Sequence, residues 1–253
     1  MSQTYGKAFA RVYNQMFGSF SLKVASRIMN YYREKEIYKS NKNVLDVCCG
    51  TGQLALEFLK NDYRVTGIDL SPYMISYARE NTRDYENKSA INFIEEDATN
   101  FNLKREYGLA VSIYDAINHL ENIKALKGCF KSVYNCVVRG GYFIFDINTR
   151  IGLQNWNGTR ITDKEDILLI LKGIFDRDRN EAITRISGFI KEKDNYYSRF
   201  EEIVYNYAYP LAEVKEILQE TGWRHVNFSL IEDLNKNIEE PEKEERIFII
   251  AQK

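Results

Sequence analysis

Hydrophobic side chains recur at three- and four-residue spacing through the first forty residues of the chain. The first set consists of Phe9, Val12, Tyr13, Met16 and Phe17, and the second of Leu22, Val24, Ile28, Tyr31 and Tyr32. This period places apolar residues on one face of a helix. The polar run at 40–43 then ends the pattern. The sequence therefore predicts two amphipathic helices within residues 1–40.

Between residues 44 and 147, short apolar runs alternate with helical patterns. The runs that predict strands are Val44–Cys49, Arg64–Asp69, Ile91–Glu95, Leu109–Tyr114 and Tyr142–Ile147. Helices are predicted over Gln53–Lys60, from Pro72 with Ser71 as its cap, and over Glu121–Val138. Such alternation is typical of a parallel sheet with helices on both faces. The predicted fold class is α/β, a doubly wound, Rossmann-like and mostly parallel sheet.

The pattern changes after residue 150. Three extended stretches, at 166–175, 181–191 and 195–207, are joined by polar turns and predict antiparallel hairpins. A helix then opens at Pro210, and two closing strands are predicted at Phe228–Ile231 and Arg246–Ala251, the last of them antiparallel. We expect a helical lid at 1–40, a core formed by 41–150 and 208–253, and a small inserted antiparallel sheet at 151–207 that caps the substrate.

Composition narrows the functional classes. The chain has 253 residues, 44% of them hydrophobic, and a formal net charge of −1, which disfavours binding to long nucleic acid. No apolar run approaches the ~20 residues that span a membrane, and the first ten residues lack an apolar signal core, so a cytoplasmic protein is expected. The four cysteines form no Cys-x-x-Cys pair, so we expect reduced thiols and no metal site.

The first strand ends in a glycine-rich turn, from Asp46 to Gly52. Glycines there allow the backbone to approach a ligand, and the helix that follows at once points its N–H groups at it. The segment from Gly50 to Ala55 also fits the G-x-G-x-x-G/A dinucleotide fingerprint. Taken alone, this turn leaves an NAD-dependent oxidoreductase open as an alternative.

Two further acidic positions follow strands at the same edge of the sheet. Asp69 ends the second strand, where a carboxylate accepts bonds from both ribose hydroxyls. Asp97 and Ala98 follow the third strand, where they can read the edge of an adenine. Asp46 has no special use in a dinucleotide enzyme, but it suits a cofactor that carries an ammonium and a sulfonium group. Together these positions favour S-adenosylmethionine (SAM) over NAD.

On these motifs the sequence resembles the class I SAM-dependent methyltransferases, over roughly residues 5 to 150. The matching pieces are 46–52, 65–70, 96–98 and 110–120. Cys48 departs from the family, which most often has glycine or alanine there. The resemblance implies a set of cofactor-binding residues, namely Tyr13, Asp46, Cys48, Gly50, Gly52, Asp69, Leu70, Asp97, Ala98 and Tyr114.

A narrower resemblance is to small-molecule methyltransferases, including sugar N-methyltransferases. It involves the N-terminal segment from Tyr5 to Met16, the segment Tyr114–Leu120 and the segment Tyr197–Glu202. Asn14 stands where these enzymes have aspartate. The resemblance implies substrate contacts from Tyr5, Asn118, His119 and Arg199, and catalytic roles for His119 and Asp115. A structural role for His119 or for Arg199 is the alternative.

The predicted function is transfer of a methyl group from SAM to a nitrogen or oxygen of a small-molecule acceptor by a monomer or homodimer. Three alternatives remain at this stage. They are a methyltransferase acting on RNA or protein, a non-catalytic SAM-binding subunit, and the NAD-dependent oxidoreductase. The sequence contains no basic cluster that would favour RNA.

Overall fold

The computed structural model describes residues 5–86, 90–103, 107–193 and 196–253. Its N-terminal part consists of helices α1 (Lys7–Met16) and α2 (Ser19–Arg33). Phe9, Ala10 and Val12 of α1 are buried, as the spacing predicts. By contrast, Leu22 on α2 is 57% exposed and belongs to the outer face. None of the described helices is both long and apolar enough to cross a membrane.

A seven-stranded sheet forms the centre of the molecule. Its strands are β1 (Asn43–Val47), β2 (Arg64–Asp69), β3 (Ile91–Glu95), β4 (Tyr107–Ser112), β5 (Val137–Asn148), β10 (Arg224–Ser229) and β11 (Arg246–Gln252). The spatial order is β10-β11-β5-β4-β1-β2-β3. Strand β11 runs antiparallel to β5 and β10, and the remaining pairs are parallel. The predicted doubly wound, mostly parallel sheet is confirmed.

Helices α3 (Gln53–Lys60), α4 (Pro72–Glu86), α5 (Ile123–Cys136) and α7 (Leu211–Glu220) connect these strands. Two buried clusters lie on opposite faces of the sheet. One contains Phe130 of α5 and Leu218 of α7, and the other contains Ile28 of α2 and Phe58 of α3. Because both faces are covered, the central strands are apolar throughout, and β4 is buried along its whole length.

A separate four-stranded antiparallel sheet follows the short helix α6 (Arg150–Gln154). It consists of β6 (Gly158–Lys164), β7 (Ile167–Asp176), β8 (Glu181–Lys191) and β9 (Tyr197–Tyr207), in that spatial order. Its inner face packs against α1, where Ile186 and Val204 join Phe9 in a third buried cluster. This contact brings α1 and the inserted sheet together above the carboxyl ends of the core strands.

Several predicted boundaries were wrong, for identifiable reasons. The predicted helix over 121–138 is shorter, and its last residues already belong to β5, which continues through Gly140 at φ +81°. Strand β6 was missed because six of its seven side chains are exposed, so the strand has no apolar alternation. The predicted start of the last hairpin strand, residue 195, lies outside the described residues, and β9 begins at Tyr197.

Candidate functional site

Two cavities meet at the carboxyl ends of β1, β2 and β4. The aromatic cavity, of about 230 Å³, is named for six rings in its wall: Tyr5, Phe9, Tyr13, Phe17, Tyr114 and Trp156. The acidic cavity, of about 370 Å³, is named for Glu96, Asp97 and Glu121. Cys48, Leu70, Ala116 and His119 line both cavities. The site is therefore a pair of adjoining compartments at the edge of the sheet where such folds bind ligands.

The turn after β1 is built from left-handed backbone. Cys48, Gly50 and Gly52 have φ values of +58°, +54° and +77°. Gly50 lines the aromatic cavity. Gly52 lies in neither cavity wall, and a Cβ there would come within 3.0 Å of Ala78 on α4. The position of Gly50 thus agrees with the prediction that it lies beside a ligand. At Gly52 a glycine is needed because α3 packs closely against α4. The positive φ of Cys48 explains why glycine suits this position.

Asp69, at the end of β2, organises this turn. Its Oδ2 accepts a hydrogen bond from the Gly50 N–H at 2.9 Å, and its Oδ1 accepts one from the Ser71 N–H at 2.9 Å. Burial raises the pKa of the Asp69 carboxyl, and the backbone N–H bonds oppose that rise. The side chain lines the aromatic cavity. Since each carboxylate oxygen has two lone pairs, acceptor capacity remains for a ligand hydroxyl.

Asp46 lies one layer deeper, on β1. Its side chain is 2% exposed, and its Oδ2 has no hydrogen-bond partner among the described residues. Burial, together with the charge of Asp69, raises the pKa of the Asp46 carboxyl to about 8. Asp46 does not line either of the two cavities. A buried carboxyl with a free oxygen is costly unless something pairs with it, so Asp46 is available to a cation or a bridging water.

Asp97 and Ala98 line the acidic cavity together with Leu70. The Asp97 Oδ1 accepts a hydrogen bond from the Thr99 N–H at 2.8 Å, which fixes the direction of the carboxylate. Ala98 is buried, and Leu70 contributes an apolar side chain to the same cavity. The cavity therefore has an apolar surface and an oriented carboxylate. These two features suit a flat ring that donates a hydrogen bond from its edge.

The segment after β4 carries two consecutive residues in the left-handed region, Tyr114 at φ +69° and Asp115 at φ +50°. Both line the aromatic cavity. Two neighbours hold the Asp115 carboxylate: Arg246 donates to Oδ1 at 2.7 Å, and Asn206 donates to Oδ2 at 3.1 Å. Because both oxygens are engaged, Asp115 is poorly placed to act as a free base.

Arg246 also pairs with Asp146, the buried carboxylate at the end of β5. Burial raises the pKa of Asp146 to about 6, although the nearby guanidinium lowers it. The two carboxylates raise the pKa of Arg246 further above its ordinary value, against the effect of burial. These ion pairs tie β11 to the loop that carries Asp115.

His119 ends the 3-10 helical turn Ala116–His119 and lies in the wall of both cavities. Its Nδ1 is 2.9 Å from the carbonyl oxygen of Tyr205, so Nδ1 carries the proton and Nε2 keeps a lone pair. The Nε2 atom is 3.4 Å from both the Tyr5 hydroxyl and the Asn206 amide nitrogen. Burial lowers the pKa of His119, which keeps the ring neutral at pH 7.

Helix α1 and the residues before it close one side of the aromatic cavity. The Tyr5 carbonyl accepts a hydrogen bond from the Ser71 hydroxyl at 2.7 Å. Tyr13 contacts Tyr114 edge-to-face, with ring centroids 6.0 Å apart. Asn14, which replaces the aspartate of the resembling enzymes, accepts from the side-chain amides of Gln53 and Asn81 at 3.2 and 2.7 Å. These contacts attach α1 to the core.

Two predicted substrate residues lie elsewhere. Asn118 is fully buried, and its amide is used by backbone: Nδ2 donates to the carbonyls of Asn148 and Tyr207, and Oδ1 accepts from the Asn148 N–H. Arg199 lies on the outer face of β9 and pairs with Glu201 at 2.6 Å. Neither side chain lines the aromatic or the acidic cavity. Asn118 thus joins β5 to β9. Arg199 forms an ion pair within the inserted sheet, as in the structural role given as the alternative.

Sequence reasoning missed three polar residues of the site. Asn206 and Thr184 line the aromatic cavity from the inserted sheet, and Arg246 supports it from β11. The signal for Asn206 was present, because it alternates with Val204 on the inward face of β9. Arg246 carries no local signal, since its partners lie 100 and 131 positions away in the sequence.

Comparisons with known proteins agree with this geometry. Residues 44–141 match the model of a methyltransferase domain. YqeM of Bacillus subtilis (strain 168), whose assigned name is that of a methyltransferase, is 26% identical over 184 residues, which cover 72% of this chain and 73% of YqeM.

Solved structures match over nearly the whole chain. A SAM-dependent methyltransferase from Clostridium acetobutylicum ATCC 824 has a TM-score of 0.80 and 24% identity, and the match covers 97% of each chain. DesVI of Streptomyces venezuelae has a TM-score of 0.76 and 17% identity, and covers 98% of this chain and 99% of its own. Residues 44–141 are therefore similar to a methyltransferase domain, and the chain has the fold of these solved SAM-dependent methyltransferases.

Proposed function

We propose that this protein transfers the methyl group of SAM to a nitrogen or oxygen of a small molecule held in the aromatic cavity. The observation that carries the proposal is the junction of the two cavities at Cys48, Leu70, Ala116 and His119. A cofactor that spans this junction has its adenine in the acidic cavity and its ribose and reactive end on the aromatic side, where Asp69 lies.

The cofactor contacts follow from the positions of the polar groups. In this placement Asp97 and Ala98 meet the edge of the adenine, Leu70 packs on its face, and Asp69 accepts the ribose hydroxyls. Cys48 and Gly50 line the path toward the methionine end. The Oδ2 of Asp46 accepts a hydrogen bond from the cofactor's ammonium group, directly or through one water, which accounts for a buried carboxyl oxygen that has no partner among the described residues.

The aromatic rings contribute shielding and charge recognition. Tyr5 and Tyr13 from the lid, with Tyr114 from the core, surround the space beside Gly50. Their faces favour positive charge and exclude water from the reacting groups. When bound, SAM supplies an electrophilic methyl carbon, which takes the acceptor's lone pair while the electrons of the breaking carbon–sulfur bond stay on sulfur. Holding the acceptor in line is then the main task of the protein.

His119 is proposed to accept the proton that the acceptor loses. Its Nε2 lies beside Tyr5 and Asn206 of the aromatic cavity, and its lowered pKa keeps the lone pair of this nitrogen unprotonated at neutral pH. Asp115 is not proposed as a second base, because Arg246 and Asn206 occupy its two carboxylate oxygens. It acts indirectly, by holding Asn206 next to His119. We therefore assign Asp115 a positioning role in place of the predicted catalytic one.

A small acceptor is favoured because the aromatic cavity is walled by the predicted lid and by the predicted cap, the inserted sheet. Two relatives support a nitrogen acceptor in particular. The dTDP-3-amino-3,4,6-trideoxy-alpha-D-glucopyranose N,N-dimethyltransferase of Streptomyces venezuelae is 26% identical over 104 residues, 41% of each chain. The sugar N-methyltransferase KedS8 of Streptoalloteichus has a TM-score of 0.75 over the full length of this chain.

An acceptor screen tests the proposal. The purified protein is incubated with SAM carrying a labelled methyl group and with panels of amino sugars, amines, phenols and carboxylic acids, and the products are identified by mass spectrometry. Asp69→Ala serves as the control that lacks the ribose contact. We expect label in at least one amine or hydroxyl compound, with none for the control. Label found solely in added RNA or protein would contradict the proposal.

A further inference from the structure

Asn206 is a fully buried amide in the inward face of β9, and it lines the aromatic cavity. It stands opposite Ala182 on β8, and its inward neighbour on β9 is Val204. From the same sheet, Leu171 and Ile186 contribute apolar side chains to this wall, and Thr184 contributes a hydroxyl. The ladder bonds of β9 do not depend on this side chain, so the fold alone does not require an amide there.

The orientation of the amide is dictated by its neighbours. Its nitrogen is 3.1 Å from Oδ2 of Asp115 and 3.4 Å from Nε2 of His119. Both of these atoms are acceptors, and Arg246 holds the other oxygen of Asp115 in place. Reversing the amide would put its oxygen against the carboxylate, so the nitrogen must face Asp115.

This orientation leaves the Asn206 oxygen without a donor. Oδ1 is buried and has no hydrogen-bond partner among the residues that the structure describes. Native proteins keep few buried polar atoms unpaired, and such atoms are commonly satisfied by a ligand or a water. Asn206 belongs to the cavity wall, and the nitrogen of the same amide lies 3.4 Å from Nε2 of His119.

We propose that Asn206 is a positioning and specificity residue, whose Oδ1 accepts a hydrogen bond from an N–H or O–H group of the acceptor molecule. This inference rests on the proposed function. The contact turns the donor-bearing atom toward His119 and aligns its lone pair with the methyl group. A site built to pair with a donor rejects analogues that lack one, because the buried oxygen then stays unpaired.

The first test uses two probes of nearly equal size, cyclohexanol and cyclohexanone, of which only the alcohol donates a hydrogen bond. Both are titrated into the wild-type protein, with and without S-adenosylhomocysteine (SAH), while the side-chain NMR signals of His119 are followed. We expect cyclohexanol to bind about threefold to tenfold more tightly than cyclohexanone, because one neutral hydrogen bond changes the affinity by about this factor. Equal affinities, or binding of neither probe, would overturn the proposal.

The second test compares Asn206→Leu, which keeps the number and branching of the side-chain heavy atoms, with Thr184→Val. Thr184 is the matched control because it lines the same cavity and its hydroxyl, within the part of the chain that the structure describes, also has no hydrogen-bond partner. Asn206→Leu should abolish the preference for cyclohexanol, whereas Thr184→Val should retain at least part of it. Retention of the full preference in Asn206→Leu would overturn the assignment.

The third test needs neither cofactor nor acceptor, so it separates this inference from the methyltransferase proposal. His119 and His225 are the two histidines of the chain, and His225→Gln assigns their NMR signals. Tyr5 and Asp115 face the His119 ring together with Asn206. Because Asn206→Leu removes a donor from Nε2, the pKa of His119 should rise, while Thr184→Val should leave it unchanged. An unaltered pKa in Asn206→Leu would contradict the role of Asn206.

Discussion

Asp46 should release a proton when the cofactor binds. Burial and the charge of Asp69 raise its pKa to about 8, so about 0.9 of the free protein carries a proton there at pH 7. Pairing with the ammonium of SAM or SAH stabilises the carboxylate and lowers that pKa. We therefore expect about 0.9 of a proton released per bound molecule at pH 7, falling to about 0.1 at pH 9.

Isothermal titration of SAH in buffers of different ionisation enthalpy measures this release, after correction for protons from the SAH amino group. Asp46→Asn is the matched variant, since it keeps the shape of the side chain and removes the titration. It should bind SAH more weakly and with less proton release. Equal proton release by wild type and Asp46→Asn at pH 7 would refute the reasoning.

The same shift has a consequence for stability. Because the folded pKa of Asp46 is raised, its contribution is fully present below its ordinary pKa of 3.8 and is lost as the pH rises through about 8. Urea unfolding of the free protein between pH 4 and pH 8 should therefore show a decline in stability that is shallower in Asp46→Asn. A parallel decline in both proteins would show that Asp46 is not desolvated.

Three further outcomes follow from the geometry. His119→Ala should lower kcat about a hundredfold and leave SAH affinity unchanged, and a decrease smaller than about threefold would remove the proton-acceptor role. Arg246→Met leaves two buried carboxylates unpaired, so urea unfolding should show a loss of about 3 kcal/mol, and a loss below about 1 kcal/mol would contradict the buried pairing. Gly52→Ala should lower the unfolding free energy by about 1–3 kcal/mol more than Gly140→Ala, because both have positive φ but only the first Cβ meets neighbouring atoms. Equal losses would show that glycine is needed at position 52 only for its positive φ and not for close packing.

The strands whose ends carry the proposed cofactor contacts were the most predictable part of the fold. The boundaries predicted for β2 and β3 agree with the structure, because each is a compact run bounded by polar or turn residues. Strand β1 ends two residues earlier than predicted, since Cys48 already has left-handed backbone. Strand β6 could not be predicted in this way, because its side chains are mostly polar and exposed, and pairing with β7 makes it a strand.

Within the site, the sequence indicates which segments meet but not where each side chain points. Asn118 and His119 are adjacent, yet the helical turn directs one into the backbone of β5 and β9 and the other into the cavities. Strand parity would have separated Arg199 from Asn206, because residues an odd number of positions apart lie on opposite faces. Long-range partners such as Arg246 and Asp115 follow only from the packed fold.

The account depends most directly on cofactor binding at Asp69. Isothermal titration of SAM and SAH into wild type, Asp69→Ala and Asp84→Ala tests it, with Asp84 as the control because its carboxylate lies on the exposed face of α4. We predict micromolar binding of both compounds to wild type and Asp84→Ala, and its loss in Asp69→Ala. A folded wild-type protein that binds neither compound would contradict the methyltransferase assignment.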